Sequence, residues 1–254
     1  LKKFREEMIN DVHLSKIFDF ENDMEIFQNV HNDGGVMFFL CYFNYNQNGE
    51  LSYWFKSIDG TISQKMKTLK ASYVDIVIRD ARISPIISKA IQNNKSLSTI
   101  ISKRKPFGVG KDLFNKPERY PNANISDVYS DGSILIHGVN GIKGGAKRLS
   151  AYVNKSIITK NNSWIGKWKL FFTTSYSRNA VNFPEIILGK PNSACTETFL
   201  VIGPFETENE MLNCYKYLNT KFVKTLLYFA HGTMQVTSSV FQFIPLQEFN
   251  TSSD

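Results

Sequence analysis

Short segments of the first eighty residues alternate apolar and polar positions, or run apolar throughout, and both patterns predict strands. A helical pattern comes first, with Leu1, Phe4 and Met8 on one face. The dipeptides Asn48-Gly49 and Asp59-Gly60 favour tight hairpins because their residues tolerate positive φ. We therefore predict a mainly antiparallel sheet segment in which 51–56 returns along 35–45. The expected strands are 13–20, 35–45, 51–56, 65–69 and 73–78.

The pattern changes near residue 80, where a domain boundary fits. Ser84 and Pro85 predict the start of a helix over 85–93, and strands are expected at 132–137, 164–174 and 240–245. Thr207 and Glu210 form a capping box, after which apolar residues recur every three or four positions to Gly232 and predict one long helix. The predicted fold class is α/β, or mixed α+β, with domains at 1–80 and 81–254.

Composition agrees with a folded protein that works in a reducing cytoplasm. Of the 254 residues, 42% are hydrophobic, and the longest apolar run, Val36–Phe43, is too short to span a bilayer. The chain shows no signal peptide, its three cysteines lack paired spacing, and its four histidines lack a metal-binding pattern. We expect neither a membrane role nor a metal or cofactor in these residues. Because a helical pattern begins directly at Leu1, we also expect the chain to be part of a longer protein.

The net charge of +7 is concentrated rather than spread. Residues 191–254 hold three basic and six acidic side chains, so residues 1–190 carry +10. Such a local positive field collects polyanions, which makes double-stranded DNA the expected partner. Aromatic residues interleave with these charges, and we expect most of their rings to lie in the core. Between residues 132 and 184 there is no Asp or Glu, and the basic residues there are Lys143, Lys147, Arg148, Lys155, Lys160, Lys167, Lys169 and Arg178.

Two segments are candidates for DNA contact. The first segment, 102–111, carries four cations in the nine residues from Lys103 to Lys111. It predicts contacts to phosphate, and its alternative interpretation is a solvated loop. The second, 138–148, combines four glycines with three cations and predicts a flexible DNA-contacting loop, with a plain turn as the alternative. Its spacing matches neither a nucleotide-triphosphate loop nor a dinucleotide fingerprint. The candidate DNA-binding residues are Lys103, Arg104, Lys105, Lys111, Lys143, Lys147 and Arg148.

Four sequence motifs carry a resemblance to a known family. They are KPFG at Lys105–Gly108, CTETFLVIG at Cys195–Gly203, YLNTKF at Tyr217–Phe222 and FQFIP at Phe241–Pro245. In this order they resemble the C-terminal target-recognition region of adenine-specific N6 DNA methyltransferases from bacterial type II restriction-modification systems, including forms fused to an endonuclease. Residues 1–20 and 26–40 look like the end of that family's catalytic domain. The resemblance implies a remnant of a Rossmann-like methyltransferase sheet in 1–80 and a sequence-specific DNA recognition domain in 81–254.

The resemblance also implies a role for Phe27 and an incomplete active site. Phe27 takes the place of the phenylalanine that stacks on an adenine swung out of the duplex, although Gln28 stands where the family commonly has proline. Taken alone, Phe27 has core packing as its alternative. The family binds S-adenosylmethionine through a glycine-containing loop and holds the target amine with an Asn-Pro-Pro-aromatic motif. Since this chain has no Pro-Pro, we expect S-adenosylmethionine to serve the parent protein and this fragment alone to transfer no methyl group.

Two other functions remain open. A metal-dependent nuclease could act through Asp75, Asp80 or Glu118, provided that these carboxylates cluster around an ion. A protein-interaction subunit of a restriction system would make no contact with DNA. Its behaviour would not change if Lys143, Lys147 and Arg148 became Glu.

Overall fold

The computed structural model describes residues 2–29, 34–70, 77–91, 95–142, 145–176, 184–230 and 235–250. The fold is mixed α/β with several sheets. The helices of this part of the chain are α1 (Lys2–Ile9), α2 (Ser84–Ile91), α3 (Glu208–Leu218) and α4 (Lys221–Ala230). The strands are β1 (Leu14–Phe20), β2 (Val36–Cys41), β3 (Glu50–Lys56), β4 (Ile62–Thr68), β5 (Ser133–Ile142), β6 (Gly145–Asn154), β7 (Trp168–Thr173), β8 (Ile187–Gly189), β9 (Ser193–Cys195) and β10 (Phe199–Phe205).

The first sheet has the strand order β2-β1-β3-β4. Asp59-Gly60 joins β3 and β4 as an antiparallel hairpin, as predicted. Asn48 and Gly49 do adopt positive φ, at 54° and 77°, but the hairpin predicted for them is wrong. Instead of returning along β2, β3 lies parallel to β1 on its other side. In that position the alternate apolar residues of β3 are buried with Ile17 of β1. Pairing of β3 with β2 alone would not bury these residues.

A buried ion pair connects this sheet to the next part of the chain. Arg79 donates from Nε and Nη2 to the two carboxylate oxygens of Asp19, at 2.8 and 2.5 Å. Tyr53 also donates its hydroxyl proton to Asp19, and burial together with this carboxylate raises the pKa of Tyr53 above its usual value. Removing one partner of such a pair leaves a buried charge uncompensated and costs about 3–5 kcal/mol. The pair therefore holds the segment around Arg79 against β1.

Two three-stranded sheets follow, with orders β6-β5-β9 and β10-β7-β8. β5 and β6 form an antiparallel hairpin that includes most of 138–148, so the predicted flexible loop is wrong. The hairpin persists because its alternate residues, such as Ile134, Ile136 and Val153, are buried and fix its register. β7 departs from simple alternation, since the four residues from Lys169 to Phe172 are all buried. Both faces of that strand are therefore covered.

The C-terminal region departs twice from its predicted pattern. The capping box is confirmed, because Glu210 N donates to Thr207 Oγ1 and Thr207 N donates to Glu210 Oε2. However, the long helix divides into α3 and α4 at Asn219, and the Thr220 hydroxyl accepts from Val223 N at 3.2 Å to begin α4. Residues 238–243 form a 3-10 helix rather than a strand. The strand predicted at 73–78 lies mostly outside the described residues.

Three clusters of buried apolar residues make up the core. One lies in the first sheet, one beneath the β5–β6 hairpin, and the largest joins α2, α3 and α4 to β7 and β10. The division at residue 80 stays a prediction. Among the described helices, none combines the length and the apolar character that crossing a membrane requires.

Candidate nucleic-acid interface

Positive charge is concentrated in one part of the sequence. Residues 1–70 hold eight basic and ten acidic side chains, whereas residues 95–160 hold twelve basic and four acidic ones. The second segment contains both candidate DNA-contact regions. The question for the structure is whether these cations are held in place and exposed.

The first region, here called the cationic loop (residues 102–111), is fixed at its start to β10. Ser102 N donates to Val201 O and Val201 N donates to Ser102 Oγ, each at 2.8 Å. Phe107 and Val109 are fully buried in the core cluster under the β5–β6 hairpin. The backbone of the loop is therefore held by packing, while its exposed cations leave the solvated-loop alternative open.

The middle of the cationic loop packs closely against residues 159–161. Gly108 has φ of 79°, and a Cβ atom there would lie 1.9 Å from Thr159 Oγ1. Thr159 N donates to Phe107 O at 3.1 Å, and Asn161 Nδ2 donates to Pro106 O at 2.8 Å. Only glycine allows this approach. The close contact gives a physical reason for the glycine of the KPFG motif.

Glu197 holds the end of the cationic loop. Its backbone N–H donates to Val109 O at 2.9 Å, and its carboxylate accepts from Lys111 N at 3.1 Å. The same carboxylate lies 3.6 Å from Arg104 Nε. Around these anchors, Lys103, Arg104 and Lys111 are exposed, and Lys105 is half-buried with φ of 60°. The loop thus presents cations on a backbone that is bonded on both sides.

The second region contributes Lys147 and Arg148 from β6, both exposed. Arg148 donates to the Glu185 carboxylate at 2.8 Å and to Glu185 O at 2.9 Å. Arg148 pairs with Val139 and Lys147 with Asn140, so the two side chains leave opposite faces of the hairpin. Lys143 lies outside the described residues.

Lys147 shares a face of the hairpin with the continuation of the cationic loop. A Cβ atom at Gly138 would lie 2.4 Å from Phe114 Cε2, so the segment after Lys111 packs on that strand. Gly138 and Asn140 face the same side of β5, because side chains alternate along a strand. Since Lys147 is the partner of Asn140, it lies on the side that carries Phe114.

Among the other described cations of the acid-free stretch, Lys155 and Lys160 are exposed, whereas Lys167 is paired and Lys169 is buried. Lys167 forms an ion pair with Glu206, a residue 39 positions further along the chain. Lys169 is fully buried, and its ammonium donates to the carbonyls of Ile165, Lys167 and Lys190 at 3.3, 2.6 and 3.3 Å. Burial lowers the pKa of Lys169 to about 8. Although residues 132–184 contain no Asp or Glu, a carboxylate from another part of the chain lies next to Lys167.

The aromatic residues of that stretch are placed as expected for a core. Phe171 and Phe172 are fully buried, while Tyr152, Trp164 and Trp168 are half-buried. The prediction that most of these rings belong to the core is confirmed for the described residues. They are not a row of exposed stacking faces.

Phe27 lies outside the core, so the packing alternative for this residue fails. Its side chain is 47% exposed, in a short turn where Phe27 N donates to Asp23 O at 2.9 Å. Asn22 caps the same turn by accepting from Met24 N at 3.2 Å. An exposed phenyl ring on a capped turn can offer a face for stacking.

The carboxylates named for a nuclease are not brought together in the described part of the chain. Asp80 is buried and bound by Arg82 through Nε and Nη2, and Glu118 lies on an exposed turn. Asp75 falls outside the described residues. No three His, Cys, Asp or Glu side chains among the described residues are grouped so as to hold a metal ion.

Two features of the region were missed by sequence reasoning. One is Glu197, whose position inside the CTETFLVIG motif was a usable signal. The other is a concave pocket formed by residues 114–125, for which the Pro- and Asn-rich composition gave no more than a loop prediction. Comparison of the sequence with known proteins finds no matching family model and no matching curated protein.

Proposed function

We propose that this chain is a sequence-specific recognition module for double-stranded DNA. The observation that carries the proposal is the cationic loop, whose backbone is bonded to β10, to Thr159 and to Glu197 while Lys103, Arg104 and Lys111 are exposed. Cations on a fixed backbone bind phosphates with a small loss of conformational entropy. Lysine and arginine contacts to phosphate set the position and register of a protein on the duplex.

The module belongs, in this proposal, to an adenine-specific N6 DNA methyltransferase of the restriction-modification type. Hydrogen bonds made by residues of the motifs that carry the resemblance support this assignment. Glu197 of CTETFLVIG binds Val109 and Lys111, which follow the KPFG motif. Thr220 of YLNTKF begins α4, and Phe241 of FQFIP accepts a hydrogen bond from Ser96 Oγ at 3.0 Å. Residues of these motifs therefore stabilise the points where elements join.

The first sheet is proposed to be part of a larger, Rossmann-like catalytic sheet. In the described chain β2 is an edge strand, and residues Met37 to Leu40 are 42–49% exposed. An exposed apolar edge of this kind invites pairing with further strands. In such an assembly S-adenosylmethionine and the amine-holding groups are supplied by other strands, and Phe27 contributes a stacking wall for the flipped adenine.

The test is the dependence of DNA affinity on salt. If about six phosphates are neutralised, the logarithm of the binding constant falls with the logarithm of salt concentration with a slope of about −5. The triple variant Lys103→Glu, Lys111→Glu and Lys147→Glu should reduce the magnitude of this slope by about three and weaken binding to any duplex. Fluorescence anisotropy of a labelled duplex over a range of salt concentrations measures both quantities.

A matched triple variant provides the control. Lys65→Glu, Lys216→Glu and Lys221→Glu make the same charge change at exposed lysines on β4, α3 and α4. We expect this control to keep most of the wild-type affinity and slope. Equal losses in the two triple variants would contradict a local interface, and a wild-type slope near zero would contradict electrostatic DNA binding.

The absence of methyl transfer by this chain is a separate expectation. Methyl transfer requires the donor and the flipped adenine to be placed in line, with acceptors that polarise the amine. The protein, mixed with labelled S-adenosylmethionine and adenine-containing duplex, should leave the DNA unlabelled. Turnover above background would show that these residues hold a complete active site and would refute the assignment of a partial one.

A further inference from the structure

The β5–β6 hairpin continues beyond the sheet to which it belongs. β9 pairs with β5 no further than His137, and the bridge from Ser126 to β6 lies at Tyr152. The backbone pairs beyond these points form the end of the hairpin, here called the ribbon (residues 139–142 and 145–148). In the described part of the chain no third strand bonds to the ribbon. Within these residues it is therefore a two-stranded structure with both edges open.

The dimensions of the ribbon match the major groove of DNA. The four residues of its first strand span about 13 Å, and its two strands lie about 4.8 Å apart. The major groove is about 12 Å wide and about 8.5 Å deep and admits a two-stranded ribbon, whereas the minor groove, at about 6 Å, is too narrow. A Cβ atom at Gly141 would meet nothing within 4 Å, so the space around the ribbon is open there.

Asn140 is the residue of the ribbon whose chemistry suits a base edge. Its half-buried amide makes no hydrogen bond with the described residues. By contrast, Asn154 accepts from Ser156 N at 2.9 Å. Asn161 donates to Pro106 O at 2.8 Å, so both of these amides hold the backbone. The amide of Asn140 offers one donor and one acceptor side by side, which is the arrangement that pairs with N6 and N7 of adenine in the major groove.

The position of Asn140 agrees with the contacts to phosphate proposed above. Asn140 is the cross-strand partner of the exposed Lys147, and their Cβ atoms are about 5 Å apart. Both side chains lie on the side of the hairpin that carries Phe114, which follows the cationic loop. The longer lysine side chain can reach a phosphate at the border of the groove while the shorter amide faces the base edges.

We propose that the ribbon lies in the major groove and that Asn140 reads an adenine that stays paired within the duplex. Contacts to phosphate carry no sequence information directly, so the cations alone do not provide specificity. The inference rests on the DNA-binding function proposed above and deepens it by naming a groove, a base and a residue. The adenine read by Asn140 is distinct from the one assigned to Phe27, because it does not leave the stack.

The first experiment is selection from a pool of duplexes with a randomised central segment. The wild-type protein should enrich one sequence, and Asn140→Ala should lose the preference for adenine at one position while it keeps the others. Ser150→Ala is the matched control, because Ser150 is exposed on the same hairpin and pairs with His137, on the opposite face from Asn140. It should select the wild-type sequence. Thermal unfolding checks that both variants are folded.

The second experiment tests the groove and does not depend on the folding of a variant. Each adenine of the selected duplex is replaced in turn by 7-deazaadenine, which lacks the N7 acceptor in the major groove and still pairs with thymine. At one position the wild-type protein should bind about tenfold more weakly, the loss expected from one base contact. Asn140→Ala should bind the two duplexes alike. Fluorescence anisotropy measures both affinities.

The outcomes separate this inference from the proposed function. It is overturned if no 7-deazaadenine weakens binding of the wild-type protein, or if Asn140→Ala keeps every preference of the wild type. Salt-dependent binding that enriches no sequence, or a sequence without adenine, also overturns it and leaves electrostatic DNA binding intact. If the wild-type protein binds no duplex even at low salt, the DNA-binding function fails and this inference fails with it.

Discussion

Replacing Gly108 by alanine tests whether the fixed cationic loop determines function. Gly108 and Gly132 have nearly the same φ, at 79° and 80°. Both replacements therefore incur a similar backbone penalty of about 1–2 kcal/mol. At Gly132 an added Cβ meets nothing within 4 Å, whereas at Gly108 it lies 1.9 Å from Thr159 Oγ1. The difference between the two variants isolates the close approach.

The magnitude follows from the contacts around Thr159. Rotation of the threonine side chain can move Oγ1, but its Cβ remains 3.1 Å from the added methyl carbon. Either Thr159 or the loop must shift, which strains the bonds from Thr159 N to Phe107 O and from Asn161 to Pro106. Since each bond contributes about 1 kcal/mol, Gly108→Ala should lower the free energy of unfolding by about 1–3 kcal/mol more than Gly132→Ala.

Urea unfolding and DNA binding should change together. We expect Gly108→Ala to weaken duplex binding, because cations on a displaced loop lose their fixed positions, and Gly132→Ala to bind like the wild type. Adding Thr159→Ala removes Oγ1, so the double variant should regain part of both losses. Equal unfolding free energies and equal duplex affinities in the two glycine variants would contradict a role for the close approach in stability and for the fixed loop in DNA binding.

Two further predictions concern buried and terminal groups. Because burial lowers the pKa of Lys169 from 10.5 to about 8, the unfolded chain binds its proton more tightly between these pH values. The unfolding free energy of the wild type should therefore rise by about 2–3 kcal/mol from pH 7 to 10 relative to that of Lys169→Met. Urea titrations of both proteins across this pH range measure the difference. Equal rises in the two proteins would contradict the prediction. Thr220→Ala removes the cap of α4 and should cost about 1 kcal/mol in thermal or urea unfolding, an effect that would be absent if α3 and α4 behave as one continuous helix.

The fold could be predicted where a few neighbouring residues decide the structure. The Thr207–Glu210 capping box and the Asp59-Gly60 hairpin depend on local bonds, and both are found. Asn48-Gly49 makes its local turn, but the partner of β3 is decided by which strand lets Leu51, Tyr53 and Phe55 be buried. That choice is a long-range property, and local turn chemistry contains no information about it.

The candidate site shows the same division. Exposure of the cations at 103–111 follows from sequence, because charged side chains avoid burial. The sequence does not predict which cations are paired with carboxylates. Arg104 meets Glu197, and Arg148 of β6 meets Glu185, each from a distant segment of the chain. The alternation of apolar and polar residues along β7 does not predict the burial of Lys169. Its ammonium is stabilised by three carbonyls, and only the tertiary structure brings these carbonyls together.

The cations that remain determine how strongly DNA binding depends on salt. Lys103, Lys105, Lys111 and Lys147 have no carboxylate partner among the ion pairs of the described residues, and four phosphate contacts alone give a slope of about −4. Arg104 and Arg148 each face a glutamate at the protein surface. Exposed pairs of this kind contribute only about 0–1 kcal/mol, whereas a guanidinium binds phosphate through two hydrogen bonds. We therefore expect Arg104 to exchange carboxylate for phosphate when DNA binds, which raises the contacts to five and the slope to about −4.5. Arg148 is not counted, because it leaves the face of the hairpin opposite to Lys147.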